Sequence, residues 1–128
     1  MARRQGKKAP FMVRQGDVVI IGIRRAIRAE HLTPIAAEGG RTVLAHGEVT
    51  GHAHALPATC TTLYGMSEDL KRELGLEGDS VGEDRVLLVT ENSKLTHEEH
   101  GSIDIPVGSF IVRRQREYSP AEIRQVAD

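Results

Sequence analysis

The chain has 128 residues, of which 39% are hydrophobic and only 3% aromatic, with no tryptophan. That length fits one domain with its own core, which Val, Ile, Leu and Ala must fill. The single cysteine, Cys60, excludes an internal disulfide, and no apolar run is long enough to cross a membrane. The basic N-terminus lacks the hydrophobic region of a secretion signal, so we expect a cytoplasmic protein with no membrane partner.

The formal net charge of −1 conceals an uneven distribution of charged side chains. Residues 1–13 contain basic side chains and no acid, which predicts a flexible basic arm. Acidic side chains dominate residues 67–84, which predicts an acidic insertion at the surface. The expected organisation is therefore the arm followed by one β-rich domain over residues 14–128.

Strand-like segments begin soon after the arm. The segment 17–23, Asp-Val-Val-Ile-Ile-Gly-Ile, is apolar at both parities, which is typical of a central strand covered on both faces. A short helical turn fits residues 26–30, and Pro34 stops its extension. The Gly39–Gly40 pair is a turn signal, after which residues 41–48 alternate as a strand.

The second half of the chain continues this pattern of short strands. The further strands that we expect are 61–64, 85–90, 103–105 and 109–115. The strand 85–90 is again apolar at both parities and is expected to be central. Ser67 can cap a helix through Leu74, and Ser119-Pro120 begins a C-terminal helix. About seven short strands and two short helices predict a mainly β fold, a small single-domain barrel or sandwich.

Histidines are concentrated in two short segments, which is the main functional signal of the sequence. The first segment reads His-Gly-Glu-Val-Thr-Gly-His-Ala-His over residues 46–54. If it is one extended strand, Glu48, His52 and His54 share a face because side chains alternate. If Gly51 instead marks a bend, His52 and His54 begin a second strand. Their i, i+2 spacing lets two imidazoles converge on one metal ion.

The second segment, Thr-His-Glu-Glu-His-Gly, contains His97 and His100 and is interpreted as a tight turn. In a helical turn these two rings share a face. Together with His52 and His54 they form a candidate site for a divalent metal ion, with zinc or iron preferred. Glu48 is then a candidate ligand, ligand-orienting residue or general base for bound water, which predicts a hydrolase.

A metal-free interpretation is also open. Paired histidines can serve as general acid and general base, for instance on a phosphodiester, so Glu48, His52 and His54 are the candidate catalytic residues in either case. The simplest interpretation is that the histidines occupy polar surface and turns.

The alternative function is a nucleic-acid-associated or phage structural protein without catalysis. Contacts to phosphates would come from the basic arm and from two further arginine groups. These candidate residues are Arg3, Arg4, Lys7, Lys8, Arg24, Arg25, Arg28, Arg114 and Arg116. Such a protein would join a homo-oligomer or larger assembly, in the cytoplasm or in a virion. The competing interpretation of residues 113–116 is an edge strand protected from aggregation by its charges.

The histidine motif resembles the first motif of cupin barrels. The His52-Ala-His54 pair and the later Pro106-Val-Gly108 turn carry this resemblance, which implies a cupin-like barrel that binds a metal ion. In this sequence no glutamate follows His54 closely, and Ile111 stands where cupins place the histidine of their second motif.

A second resemblance covers most of the chain after Arg14. The stretches Gly-Glu-Val-Thr-Gly-His-Ala-His, Leu-Thr-His-Glu-Glu-His-Gly and Val-Arg-Arg-Gln-Arg-Glu-Tyr-Ser-Pro are similar to those of small uncharacterised proteins of bacteria and bacteriophages. This resemblance implies no particular activity.

Overall fold

Two antiparallel sheets make up most of the structure, a computed structural model that describes residues 11–47, 51–76 and 84–114. The strands are β1 (Met12–Gln15), β2 (Val18–Ile23), β3 (Leu32–Ile35), β4 (Arg41–His46), β5 (Ala53–Pro57), β6 (Thr61–Met66), β7 (Arg85–Val89), β8 (Ser93–His97), β9 (His100–Ile105) and β10 (Gly108–Arg114). The helix α1 spans Glu68–Leu74. The first sheet has the order β1-β2-β10-β7-β6-β3, and the second has the order β4-β5-β8-β9.

The main core lies between these two sheets. Ile20 of β2 belongs to the same buried cluster as Leu44 and Leu95 of the second sheet. On the opposite face of β2, Ile21 packs in a smaller cluster with Leu76, which follows α1. Because side chains alternate along a strand, burial on both faces requires apolar residues at both parities. The prediction that residues 17–23 form a central strand is thereby confirmed.

The strand β7 is the second central strand, between β10 and β6. Leu87 faces the core and is fully buried. Leu88 points to the other face, where it is only half-buried and lines an open groove with Leu32 and Tyr64. The prediction for residues 85–90 is confirmed, and the two leucines differ in how much surface they bury.

Pro34 lies inside a strand rather than simply ending a helical turn. The strand β3 pairs with β6 and is the last strand of its sheet among the described residues. An outer strand tolerates proline because one side of its backbone needs no partner. The helical turn is a 3-10 turn at Ala29–His31, later than the predicted 26–30.

A hairpin replaces the single long strand that residues 46–54 would otherwise form. In this β4–β5 hairpin, His46 lies opposite Ala53 and Ala45 opposite His54. Gly51 has a φ of 88°, in the left-handed region that favours glycine. The interpretation as one extended strand is therefore wrong, and the predicted bend is confirmed.

The helix α1 begins and ends as its sequence predicts. The Ser67 hydroxyl accepts a hydrogen bond of 3.1 Å from the backbone N–H of Leu70, and Gly75 ends the helix with a φ of 70°. The rest of the acidic insertion, up to residue 83, lies outside the described residues, as does the C-terminal helix predicted at Ser119. Residues 1–10 of the predicted arm also lie outside, whereas β1 starts within the arm's predicted range, at Met12.

The predicted mainly β fold is confirmed, and a sandwich is the architecture that fits. Over the described ranges the two sheets do not close into a barrel, so the cupin-like alternative is not formed there. Within the same ranges, no helix has both the length and the apolar character needed to cross a membrane.

Candidate functional site

Four histidine rings meet at one end of the sandwich. His52 immediately precedes β5 and His54 is its second residue, whereas His97 ends β8 and His100 begins β9. The ring centroid of His97 lies 4.2 Å from that of His54, 4.7 Å from that of His100 and 5.9 Å from that of His52. The rings of His54 and His100 stack, with centroids 5.7 Å apart. The structure therefore brings all four candidate metal ligands together.

The β8–β9 hairpin supplies two of these rings. His97 and His100 are register partners across it, which places their side chains side by side without a helical turn. The intervening Glu98 and Glu99 are exposed. The Glu98 carboxylate accepts a 2.9 Å hydrogen bond from the backbone N–H of Ala53, and this bond lowers the pKa of Glu98. The hairpin tip is thus tied to the start of β5, beside His52.

Gln15 determines the orientation of the His54 ring. Its buried amide nitrogen donates to the backbone carbonyls of Leu95, at 3.2 Å, and Gly101, at 2.8 Å. With both amide hydrogens directed at carbonyls, its Oε1 atom is the acceptor, and it lies 2.8 Å from His54 Nδ1. His54 therefore carries a hydrogen on Nδ1, and the lone pair of the neutral ring lies on Nε2.

Asp17 lies on the other side of this ring. Its Oδ1 atom is 3.7 Å from His54 Nε2, and its Oδ2 atom accepts a 2.9 Å hydrogen bond from Arg114. Burial acts to raise the pKa of Asp17, but the hydrogen bond and charge of Arg114 more than offset it, so this pKa is lowered. Burial, with the charge of His97 adding to it, lowers the pKa of His54 to about 4. The ring is therefore neutral at pH 7, next to a carboxylate.

The other rings have different surroundings. His97 Nδ1 accepts a 3.0 Å hydrogen bond from the backbone N–H of Glu99, so its neutral form carries the hydrogen on Nε2. His52 Nδ1 lies 3.3 Å from the Glu99 carboxylate but is a buried atom without a hydrogen bond within the described ranges. Hydrogen bonds select the tautomers of His54 and His97, whereas no described hydrogen bond to Nδ1 selects that of His52.

Two glycines make room for the cluster. At Gly16, which has a φ of 59°, a Cβ atom would lie 2.9 Å from His100 Nε2 and 3.1 Å from His54 Cε1. At Gly47 it would lie 3.1 Å from the Cβ atom of His52 and 3.2 Å from His97 Nε2. A side chain at either position would press on imidazole rings, and at Gly16 the positive φ also favours glycine.

Not every residue predicted for the site is part of it. Glu48, the predicted general base, lies outside the described residues. His46 points away and its Nε2 atom lies 3.1 Å from the Glu38 carboxylate at the surface. Sequence reasoning missed Gln15 and Asp17, because a lone Gln-Gly-Asp turn before a strand carries no recognisable ligand motif.

The cluster has not adopted the geometry of a filled metal site. Among the described residues, no three His, Cys, Asp or Glu side chains are positioned to hold one metal ion. The hydrogen bond at His97 Nδ1 leaves no lone pair on the Nε2 atom of the neutral ring.

The arginines predicted for nucleic-acid binding do not form one stripe. Arg24 follows the end of β2 at Ile23, whereas Arg114 lies opposite Val18 at the strand's start. These points are about 20 Å apart along a six-residue strand. Arg25 pairs with Glu73 at 3.7 Å. Arg28 pairs with its neighbour Glu30 at 3.3 Å.

The remaining basic candidates, Arg3, Arg4, Lys7, Lys8 and Arg116, lie outside the described residues. The strand that carries Arg113 and Arg114 is β10, which lies between β2 and β7, so the interpretation as an edge strand is wrong for these two residues. Arg113, on the opposite face of β10 from Arg114, is buried and donates a 2.9 Å hydrogen bond to Asp84. Nucleic-acid binding stays a prediction, without a continuous basic surface to support it in this part of the chain.

Comparison with known proteins places the chain in a family. Residues 14–115, which include every residue of the cluster, match the family model described as Domain of unknown function (DUF8820). The chain belongs to this DUF8820 family. No curated protein and no solved structure matches it.

Proposed function

We propose that this DUF8820 domain binds a divalent transition-metal ion, zinc or iron, in its histidine cluster. The observation that carries the proposal is the convergence of four imidazoles from two hairpins, in which the ring centroids of the contacting pairs lie 4.2–5.9 Å apart. Histidines that lie in surface turns by chance need not contact one another, as these rings do. Imidazole nitrogen is also a preferred ligand of these metals.

The surroundings of His54 support the same proposal. Metal-binding histidines usually donate their second N–H to an oxygen atom, which sets the ring orientation and leaves the other nitrogen for the metal. The bond from His54 Nδ1 to Gln15 Oε1, at 2.8 Å, has this form. The lowered pKa keeps the ring in the neutral state that a metal ion requires.

Hydrolysis is the further step of this proposal. A bound divalent ion lowers the pKa of a coordinated water and generates a nucleophile near neutral pH. The general base would be Glu48, the residue assigned to that role from the sequence. Loss of hydrolysis in Glu48→Gln, with metal content retained, is the result expected of a base that is not a ligand.

Metal content tests binding directly. Protein purified without a metal-affinity tag is dialysed against zinc and, separately, anaerobic ferrous iron, and the bound metal is measured by elemental analysis. We expect one ion per chain in the wild type and loss of the ion in the double variant His54→Gln/His100→Gln.

The matched control removes two histidines that lie outside the cluster. In His31→Gln/His46→Gln the number of histidines falls equally, but His31 bonds Ser67 and His46 pairs with Glu38. This control should keep its metal. Equal losses in both double variants, or a wild type that binds none, would contradict the proposed function.

A further inference from the structure

We infer that His54 and Asp17 supply the ion-binding atoms at the centre of the cluster, and that His97 is a neighbour rather than a ligand. This inference rests on the proposed function and assigns atoms within it. It adds Asp17, a residue that no histidine pattern indicates, and it removes one of the four histidines.

The first step is the direction of the His54 lone pair. Gln15 is 3% exposed, and its amide nitrogen donates to two carbonyls, so its oxygen cannot exchange places with the nitrogen without losing both bonds. The ring nitrogen facing that oxygen must then be a donor. His54 Nε2 is left as the acceptor, and it points to the Asp17 carboxylate.

The contact between His54 and Asp17 lacks a hydrogen atom that could bond the two side chains. Two acceptor atoms, His54 Nε2 and Asp17 Oδ1, face each other at 3.7 Å. The hydrogen of the ring is on Nδ1, where it bonds Gln15, and the carboxylate carries none, since its other oxygen, Oδ2, accepts from Arg114. A cation between the two atoms would satisfy both lone pairs.

Their separation suits a transition metal. Two ligands of a tetrahedral zinc ion, each about 2.0–2.2 Å from the metal, lie about 3.3–3.6 Å apart. The observed 3.7 Å needs only a small movement to reach that range. One imidazole and one carboxylate form a donor set that suits zinc or ferrous iron, whereas magnesium and calcium prefer oxygen ligands throughout.

His97 and His100 differ in how readily their Nε2 atoms can offer a lone pair. His97 would have to give up the hydrogen bond from the Glu99 amide before its Nε2 atom could offer a lone pair. His100 is under no such constraint among its described contacts, and its Nε2 atom approaches Gly16, the residue next to Asp17. His100 is therefore the natural third ligand.

Zinc affinity separates these roles. The affinity of the tag-free protein for Zn²⁺ is measured by competition with a chromophoric chelator, together with far-UV circular dichroism to verify folding. Asp17→Asn keeps the size of the side chain and should weaken zinc binding by at least about tenfold. Asp104→Asn, which removes a surface carboxylate paired with Lys94, should leave the affinity unchanged.

The same assay tests the exclusion of His97. His97→Gln should retain zinc, and His100→Gln should weaken its binding. Wild-type affinity in Asp17→Asn, or a loss in His97→Gln that equals the loss in His54→Gln, would overturn the assignment while leaving metal binding by the cluster intact. A wild type that does not bind zinc would overturn the assignment, and failure to bind ferrous iron as well would overturn the proposed function.

A second measurement needs no metal and does not depend on the variants' folding. The ¹⁵N chemical shifts of the imidazoles in metal-free wild-type protein report which nitrogen of each ring carries the hydrogen. We expect Nδ1–H for His54 and Nε2–H for His97. The opposite tautomer at either ring would overturn the inference.

Discussion

His54 illustrates how neighbours decide the chemistry of one side chain. An imidazole in water exchanges freely between two tautomers and a charged form, but this ring is 3% exposed and hydrogen-bonded to Gln15. Burial disfavours the charged form, and the amide oxygen of Gln15 selects the tautomer. The protein thus presents one defined lone pair, at Nε2, towards Asp17.

The lowered pKa of His54 predicts how stability depends on pH in zinc-free protein. Between the usual pKa of 6.5 and the folded value of about 4, the unfolded chain binds a proton here that the folded protein does not. The contribution of His54 to the free energy of unfolding should therefore be fully present above pH 6.5. It should fall by about 3 kcal/mol as the pH drops towards 4. Urea titration at several pH values in the presence of a chelator measures this.

The comparison variant is His54→Gln, which cannot titrate. Carboxylates such as Asp17 also lose stabilising contacts in acid, because the pKa of Asp17 is lowered in the fold. That contribution is shared by wild type and variant, so the difference between their pH slopes isolates the imidazole. Identical slopes between pH 6.5 and 4 would contradict the assigned environment of His54.

At the scale of elements, the β1–β2 turn is where backbone and cluster depend on each other. Gly16 and Gly39 have the same φ of 59°, yet an added Cβ meets two imidazoles at Gly16 and nothing within 4 Å at Gly39. Both alanine variants should suffer backbone strain of about 1–2 kcal/mol. Gly16→Ala should lose additional stability and also zinc binding, as measured by denaturant titration and by the chelator assay.

Gly39→Ala serves as the control because it adds the same strain away from the cluster. If the two variants lose equal stability and both retain zinc, then the close approach at Gly16 is not a requirement of the site.

The strand β7 offers a second comparison. Leu87 is fully buried between the sheets, whereas Leu88 is half-buried on the other face. Leu87→Ala should cost about 2–5 kcal/mol, as expected for deletion of well-packed methyl groups. Leu88→Ala should cost less, because part of that side chain already contacts water. Equal losses in urea titration would show that the outer face of β7 is as well packed as the core.

Elements that local sequence patterns define could be predicted, whereas elements that depend on strand pairing could not. The apolar strands β2 and β7 and the capped helix α1 were predictable, because burial on both faces and the Ser67 cap are local patterns. The placement of β3 was not, because a proline is acceptable in a strand only when that strand lies outermost in its sheet. That position is a property of the pairing, which the local sequence of Pro34 does not contain.

At the scale of the whole molecule, the site lies where the two sheets meet. Gln15 ends β1, the edge strand of the first sheet, and Asp17 lies in the turn that follows, while His54, His97 and His100 belong to the second sheet. The hydrogen bonds from Gln15 to Leu95 and Gly101 join the sheets at this point. Clustering of histidines was visible in the sequence, but the residues that orient them come from a turn elsewhere in the chain.

Strand order also explains why the edge-strand interpretation of Arg113 and Arg114 was wrong. Alternation places Arg113 and Arg114 on opposite faces, as predicted, but the sheet order makes β10 central. A central strand must neutralise its charges internally, which is why Arg113 bonds Asp84 and Arg114 bonds Asp17. Strand order is a long-range property, and a charged strand end alone does not distinguish an edge from a centre.

Anomalous diffraction from crystals grown with zinc tests metal binding in the cluster most directly. Data collected on either side of the zinc absorption edge locate the ion independently of any assumed ligand. We predict one strong peak about 2.0–2.2 Å from His54 Nε2, on the side that faces Asp17. Absence of a peak in the cluster, or peaks confined to His31 and His46, would contradict zinc binding at this site.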